Sequence, residues 1–199
     1  KGSRMNLNIT KESYAFTTEY VGQKEVAGPQ DNPLIVCAHK LTGHAPQKSI
    51  GKSVDEIPWC ASWVNLAIIC ANIRRNPKRT IEMLRAKGII EQTIIELFKY
   101  AKVNYLLMKD IDTLQPIAPP TWSAAASSFR EWGQTVPFDK AQRGDIICLT
   151  RKGGNHVAFL DEDSLGKVFL KLLGGNQSNK VCSSETYLRA RLVSVRRGF

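Results

Sequence analysis

The spacing of apolar residues changes once along this chain, near residue 144, from a helical to a strand-like pattern. Before that point apolar residues recur at helical spacing, for example Ile90, Ile94 and Phe98. After it, short apolar and β-branched runs alternate with glycine-containing turns such as residues 153–155. Because helices come first and hairpin-linked strands follow, this order predicts an α+β protein with an antiparallel sheet.

Helices are predicted between residues 58 and 132. The first clear helix begins near Pro58, since proline is favoured in a first turn where its missing N–H costs no hydrogen bond, and it continues to Ala71. Residues 74–120 have helix-forming composition and are interpreted as a helical insertion. A further helix is expected at residues 123–132, before Gly133.

The remaining regions are predicted as turns and strands. Residues 5–57 are rich in turn formers around one short apolar segment, residues 34–37. Strands are predicted at residues 145–150, 156–160, 167–173 and 192–197. At 199 residues the chain is long enough for one well-buried core and short for two, so we expect a single domain over residues 5–199.

The formal net charge of +10 favours an anionic partner. Nucleic acid and an anionic bacterial envelope both fit this charge, and the plain alternative is that it only maintains solubility. The basic residues are scattered along the chain without a nucleic-acid-binding motif, so the sequence does not indicate a nucleic-acid site. A non-enzymatic basic binding module would rest on the charge alone, and we expect the protein to act as a monomer.

No segment of the sequence predicts a membrane span, since the apolar runs stop far short of the roughly 20 residues that a bilayer requires. The start of the sequence lacks the basic patch, the apolar stretch and the small-residue cleavage site that together mark a secretory signal. Residues 1–4 are interpreted as a cloning remnant, with Met5 as the native start. We therefore expect synthesis in the cytoplasm without a signal peptide.

The five cysteines are an odd number at uneven spacing without a CxxC pair, which predicts neither a zinc ribbon nor a thioredoxin-like motif. Cys70 and Cys148 lie in apolar runs and are expected to be buried. Cys37, His39 and His44 offer an alternative metal site, but they lack the usual zinc spacing and a fourth ligand. We expect no metal and no cofactor.

Cys60 lies in the first turn of a predicted helix, where free backbone N–H groups and the helix dipole lower the pKa of a thiol. His156 begins a predicted strand, and a rigid sheet could hold its imidazole near that helix. Each residue alone has a structural alternative, a buried cysteine or a buried histidine. Together they predict a nucleophile and its base. Asn176 follows the next strand and could orient the imidazole, or it could simply form a turn.

Three groups of residues, in this order, resemble the NlpC/CHAP superfamily of peptidoglycan hydrolases. They are Trp59-Cys60-Ala61 within residues 55–61, residues 143–147 leading to 154–159, and Gly174-Gly175-Asn176-Gln177. Within that superfamily, the helix start and the Gly-Gly-Asn-Gln end look most like those of a phage-associated group. The resemblance covers most of residues 25–197 apart from the 74–120 insertion, which departs from the family pattern.

The resemblance implies a papain-like α+β fold with N-terminal helices packed on the sheet. It implies that Cys60 attacks with its own N–H in the oxyanion hole, that His156 is the base and that Asn176 orients it. Trp59 and Gln177 are expected to contact substrate. The implied activity is cleavage of an amide in the peptide stem of peptidoglycan, either the muramoyl–L-alanine bond or a peptide bond, by an endolysin acting in the periplasm or cell wall. A secreted antibacterial effector, or an acyltransferase or deamidase with the same site, is the alternative.

Overall fold

Helices come first and an antiparallel sheet follows within residues 8–27, 30–43, 57–162 and 167–198, the part of the chain that the computed structural model describes. The helices are α1 (Ile9–Glu19), α2 (Pro33–Leu41), α3 (Cys60–Arg75), α4 (Pro77–Ala86), α5 (Glu91–Tyr100) and the short α6 (Tyr105–Met108). The strands are β1 (Gln134–Thr135), β2 (Ile146–Arg151), β3 (Gly154–Leu160), β4 (Phe169–Gln177), β5 (Lys180–Leu188) and β6 (Leu192–Arg197). Their order in the sheet is β1-β6-β2-β3-β4-β5. The predicted α+β class is confirmed.

The elements that carry the candidate site lie close to their predicted positions. α3 begins at Cys60, two residues after Pro58, and β2 and β3 differ from their predicted bounds by one or two residues at the ends. β4 runs four residues further than predicted, to Gln177, so the Gly-Gly-Asn-Gln segment belongs to the strand. β5, a largely polar strand at the edge of the sheet, was not predicted. Residues 1–5 lie outside the described part of the chain.

The N-terminal region is helical where turns were predicted. α1 begins after Asn8, whose side chain accepts a hydrogen bond from the Thr10 N–H at 3.0 Å. α2 begins after Asn32, which accepts one from the Leu34 N–H at 3.0 Å. Each asparagine thereby satisfies an N–H group of the first turn that has no partner within the helix. The apolar residues at 34–37 are thus part of a capped helix.

The helix expected at residues 123–132 is reduced to a 3-10 turn at Ala126–Arg130. Asn65 of α3 binds the chain at the start of this segment, since its side chain accepts a hydrogen bond from the Trp122 N–H at 2.9 Å and donates to the Ser123 carbonyl at 3.0 Å. These backbone groups are satisfied by α3, so they take no part in a helical ladder.

α3 is the central helix of the fold, because every residue from Cys60 to Ile73 is buried. A helix that is buried all round requires neighbours on every side, and α1, α2, α4, α5, β3 and β4 supply them. The predicted insertion packs on this helix, since it contributes six buried side chains to the same apolar core: Ile81, Leu84, Ile94, Leu97, Phe98 and Ala101. In the described segments no helix, α3 included, is long and apolar enough to cross a membrane.

Gly175 lets the start of α3 rest directly on the backbone of β4. A Cβ atom at this position would lie 2.3 Å from Cζ3 of Trp59 and 2.7 Å from Cβ of Trp63. Atoms cannot approach this closely, so a residue with a side chain would push the helix off the strand. The absence of a side chain at Gly175 therefore sets how closely the start of α3, with Cys60, approaches the sheet.

Candidate active site

Cys60 is the first residue of α3 and is only 3% exposed. The preceding residue, Trp59, makes no side-chain cap, and the first hydrogen bond within the helix runs from the Trp63 N–H to the Trp59 carbonyl at 2.8 Å. The N–H groups of Cys60 and Ala61 instead point at the Cys60 sulfur. The first turn of α3 thus presents its free donors to the thiol.

A gap between β3 and β4 receives the sulfur. The Leu160 N–H donates to the Asp145 carbonyl at 2.8 Å, so the backbone N–H and C=O groups of Leu160 point toward β2. Along an antiparallel strand these groups point to alternate neighbours, so the N–H of Val157, three residues earlier, points toward β4. The described pairing of β3 with β4 comprises only Phe159 and Leu160 with their partners. The Val157 N–H donates to the Cys60 sulfur instead. This contact places the sulfur beside the residue that follows His156.

His156 is held on three sides. It lies opposite Leu149 in the β2–β3 pair and is fully buried. Its ring stacks on Tyr187 of β5, with centroids 4.9 Å apart and planes 9° from parallel. Its Nε2 lies 3.4 Å from Oε1 of Gln177. Tyr187 carries no signal in the sequence, because it lies on β5, a strand that the apolar pattern does not predict.

Gln177 sets the tautomer of this imidazole. Its amide nitrogen donates to the Leu172 carbonyl at 3.0 Å and also to the carbonyls of Gly174 and Cys182. These acceptors turn Oε1 toward the histidine, so Nε2 of His156 must carry the proton. Nδ1 then holds the lone pair, and it has no hydrogen-bond partner among the described residues.

The amide side chain that contacts His156 is that of Gln177 rather than that of Asn176. The register of β4 against β5 shifts between Gly174 and Gln177, and Asn176 has a left-handed φ of 57° at this bulge. The extra residue reverses the side-chain alternation, so Gln177 is buried against His156 and Asn176 is half-buried. The contact with His156 was predicted for Asn176 and a substrate contact for Gln177, whereas the structure brings Gln177 to the imidazole.

Trp59 does not line an open groove as predicted. Its side chain is 0% exposed, its ring packs edge-on against Trp63 at 5.7 Å, and its Nε1 donates to Glu25 at 2.8 Å. Together with its contact over Gly175, these interactions make it a packing residue that anchors the first turn of α3.

Burial favours the neutral forms of both Cys60 and His156. Burial raises the pKa of the Cys60 thiol, and the opposing effects of the Val157, Ala61 and Cys60 N–H groups and of Arg151 are smaller. The lowered thiol pKa expected from the sequence is therefore wrong, because the helix start is buried. Burial, and then the charge of Arg151, lower the pKa of His156 to about 4. No hydrogen bond joins the sulfur to His156 Nδ1, so proton transfer requires the thiol and the imidazole to move into contact.

We expect the burial of His156 to make the protein less stable as the pH falls from about 6.5 to about 4. The folded-state pKa of about 4 lies below the ordinary value of 6.5, so in this window the unfolded chain binds the extra proton. One proton corresponds to a loss of about 1.4 kcal/mol per pH unit. Denaturant unfolding at several pH values should show a shallower loss in His156→Gln than in the wild type. Equal slopes would contradict a buried neutral imidazole.

No family model, curated protein or solved structure matches this chain.

The alternative metal site receives no support in the described segments, which contain no group of three or more candidate ligands. Nδ1 of His39 lies 3.2 Å from the Ser62 hydroxyl, and Cys37 is buried in the core. His44 lies outside the described residues, as do residues 55 and 56 of the first motif. Cys70 and Cys148 are buried as predicted.

Proposed function

We propose that this protein is a cysteine hydrolase of bacterial peptidoglycan, with a papain-like arrangement of its site. The observation that carries the proposal is the placement of the Cys60 sulfur at a helix start, beside the N–H of Val157, the residue that follows His156, whose imidazole Gln177 contacts. A nucleophile, a base and an orienting group are the three parts of such a site. The order of the motifs and the net charge of +10 favour an anionic bacterial envelope as the substrate's setting.

The reaction is an acyl transfer from the leaving amine to water. His156 Nδ1 takes the thiol proton as the Cys60 sulfur attacks the amide carbonyl, and the N–H of Cys60 stabilises the oxyanion. The imidazolium then donates its proton to the leaving nitrogen, which departs as an amine and leaves a thioester on Cys60. Water attacks the thioester with His156 as base, and the thiol is restored as the acid is released. The side chains of this chain carry every proton transfer in the scheme.

The biological role that fits this reaction is host-wall lysis by a phage endolysin. Digestion of purified peptidoglycan followed by mass spectrometry tests the proposal. We expect soluble fragments with one new amine and one new carboxyl end, whose position identifies the bond as the muramoyl–L-alanine amide or a peptide bond of the stem. Intact peptidoglycan, together with deamidation or acyl transfer on protein substrates, would contradict wall hydrolysis while keeping the Cys–His chemistry.

A further inference from the structure

The tip of the β2–β3 hairpin collects positive charge close to the candidate site. Arg151 and Lys152 lie in the hairpin itself. Arg130 reaches it by donating to Asn155 at 2.6 Å, and the carbonyl of Arg191 accepts a hydrogen bond from Thr150. Among the residues that the structure describes, none of these four cations forms an ion pair. No carboxylate of the described residues balances their charge.

Arg151 is the member of this group that lies beside His156. Arg151 on β2 pairs with Gly154 on β3, and Leu149, two residues before Arg151, pairs with His156. Arg151 and His156 are therefore diagonal neighbours on one face of the sheet. Gly154 has no side chain, and a Cβ added there would meet no atom within 4 Å. Open space therefore lies beside the exposed Arg151 side chain.

The charge of Arg151 acts on both reacting groups. It lowers the pKa of the Cys60 thiol, of the His156 imidazole and of the Tyr187 phenol. The site is thus electropositive before substrate arrives, although the proposed chemistry starts from a neutral thiol and a neutral imidazole. A negative group of the substrate would balance this charge.

We propose that Arg151 binds a carboxylate of the substrate close to the scissile amide, so that the enzyme selects peptide stems with free rather than amidated carboxyl groups. This inference rests on the proposed function and specifies its substrate class. A guanidinium group matches a carboxylate with two parallel hydrogen bonds, and a carboxamide cannot replace this ionic pairing. Binding the carboxylate also offsets the charge that weakens His156 as a base, so the correct substrate makes the imidazole a stronger proton acceptor.

Two muropeptides test the inference, one with free carboxylates on its stem glutamate and diamino acid, the other with both as carboxamides. We expect the wild type to cleave the carboxylate form with a kcat/KM at least about tenfold higher. Arg151→Ala should lose about tenfold on the carboxylate form and less than about threefold on the amidated form. Lys152→Ala removes the adjacent exposed cation and is the matched control, with less than about threefold change on either substrate.

Binding to the Cys60→Ala variant separates recognition from turnover. Calorimetry with the carboxylate muropeptide should show about tenfold weaker binding when Arg151→Ala is added. Equal cleavage of both muropeptides, or equal losses on both in Arg151→Ala, overturns the inference while leaving the hydrolase intact. Absence of Cys60-dependent cleavage of either muropeptide contradicts the proposed function instead. In that case the binding experiment still tests the inference, which is overturned if Arg151→Ala leaves binding unchanged.

Discussion

Replacing Cys60 by serine is expected to lower peptidoglycan hydrolysis by about 10³-fold or more. A serine hydroxyl is a much weaker nucleophile at neutral pH, and the scheme depends on attack by sulfur. The fold should persist, because the hydroxyl can accept hydrogen bonds from the same N–H groups that now point at the sulfur. His156→Ala should cause a comparable loss through removal of the base. Turbidity loss of purified cell walls measures activity, and denaturant unfolding reports the stability of each variant.

Cys182→Ser provides the matched control for this experiment. Cys182 is a half-buried thiol on β5 whose sulfur donates to the Gln177 carbonyl at 3.2 Å, and a serine hydroxyl can keep that hydrogen bond. We expect Cys182→Ser to retain activity within about threefold. If Cys60→Ser keeps more than a tenth of the wild-type rate with an unchanged fold, Cys60 is not the nucleophile.

The parts of the site that sequence could predict are those set by local pattern. Pro58 and the apolar run after it locate the start of α3, and the glycine turn before His156 locates a strand. Because a buried helix must pack on the sheet that follows it, the start of α3 then lies against the strands of that sheet. The contact of the Cys60 sulfur with the Val157 N–H is the result.

The parts that sequence could not predict depend on register and burial. The bulge between Gly174 and Gln177 decides which of two adjacent amides meets the imidazole, and a bulge changes side-chain direction without a signal in composition. The raised pKa of Cys60 reflects how deeply the helix start is covered, which only tertiary packing determines. Trp59 shows the same effect, since an aromatic beside a nucleophile is as able to pack as to bind substrate.

Gln177→Ala is expected to reduce kcat by about 10²-fold with a smaller change in KM. The substitution removes the acceptor that keeps the His156 proton on Nε2, so a fraction of the imidazole adopts the tautomer in which Nδ1 holds the proton and cannot act as base. It also deprives the Leu172, Gly174 and Cys182 carbonyls of a donor, which should cost about 1–3 kcal/mol of stability. Steady-state kinetics and unfolding in denaturant measure the two effects.

The tautomer distinguishes an orienting role from a purely structural one. Imidazole ¹⁵N chemical shifts should show a protonated Nε2 in the wild type and a mixture in Gln177→Ala, because the amide oxygen is the partner that selects this form. Asn176→Ala is the matched control, since it removes the neighbouring amide at the bulge and should leave kcat within about threefold. A loss of kcat in Asn176→Ala with none in Gln177→Ala would mean that β4 adopts the other register during catalysis. Strand register would then decide which amide orients the base.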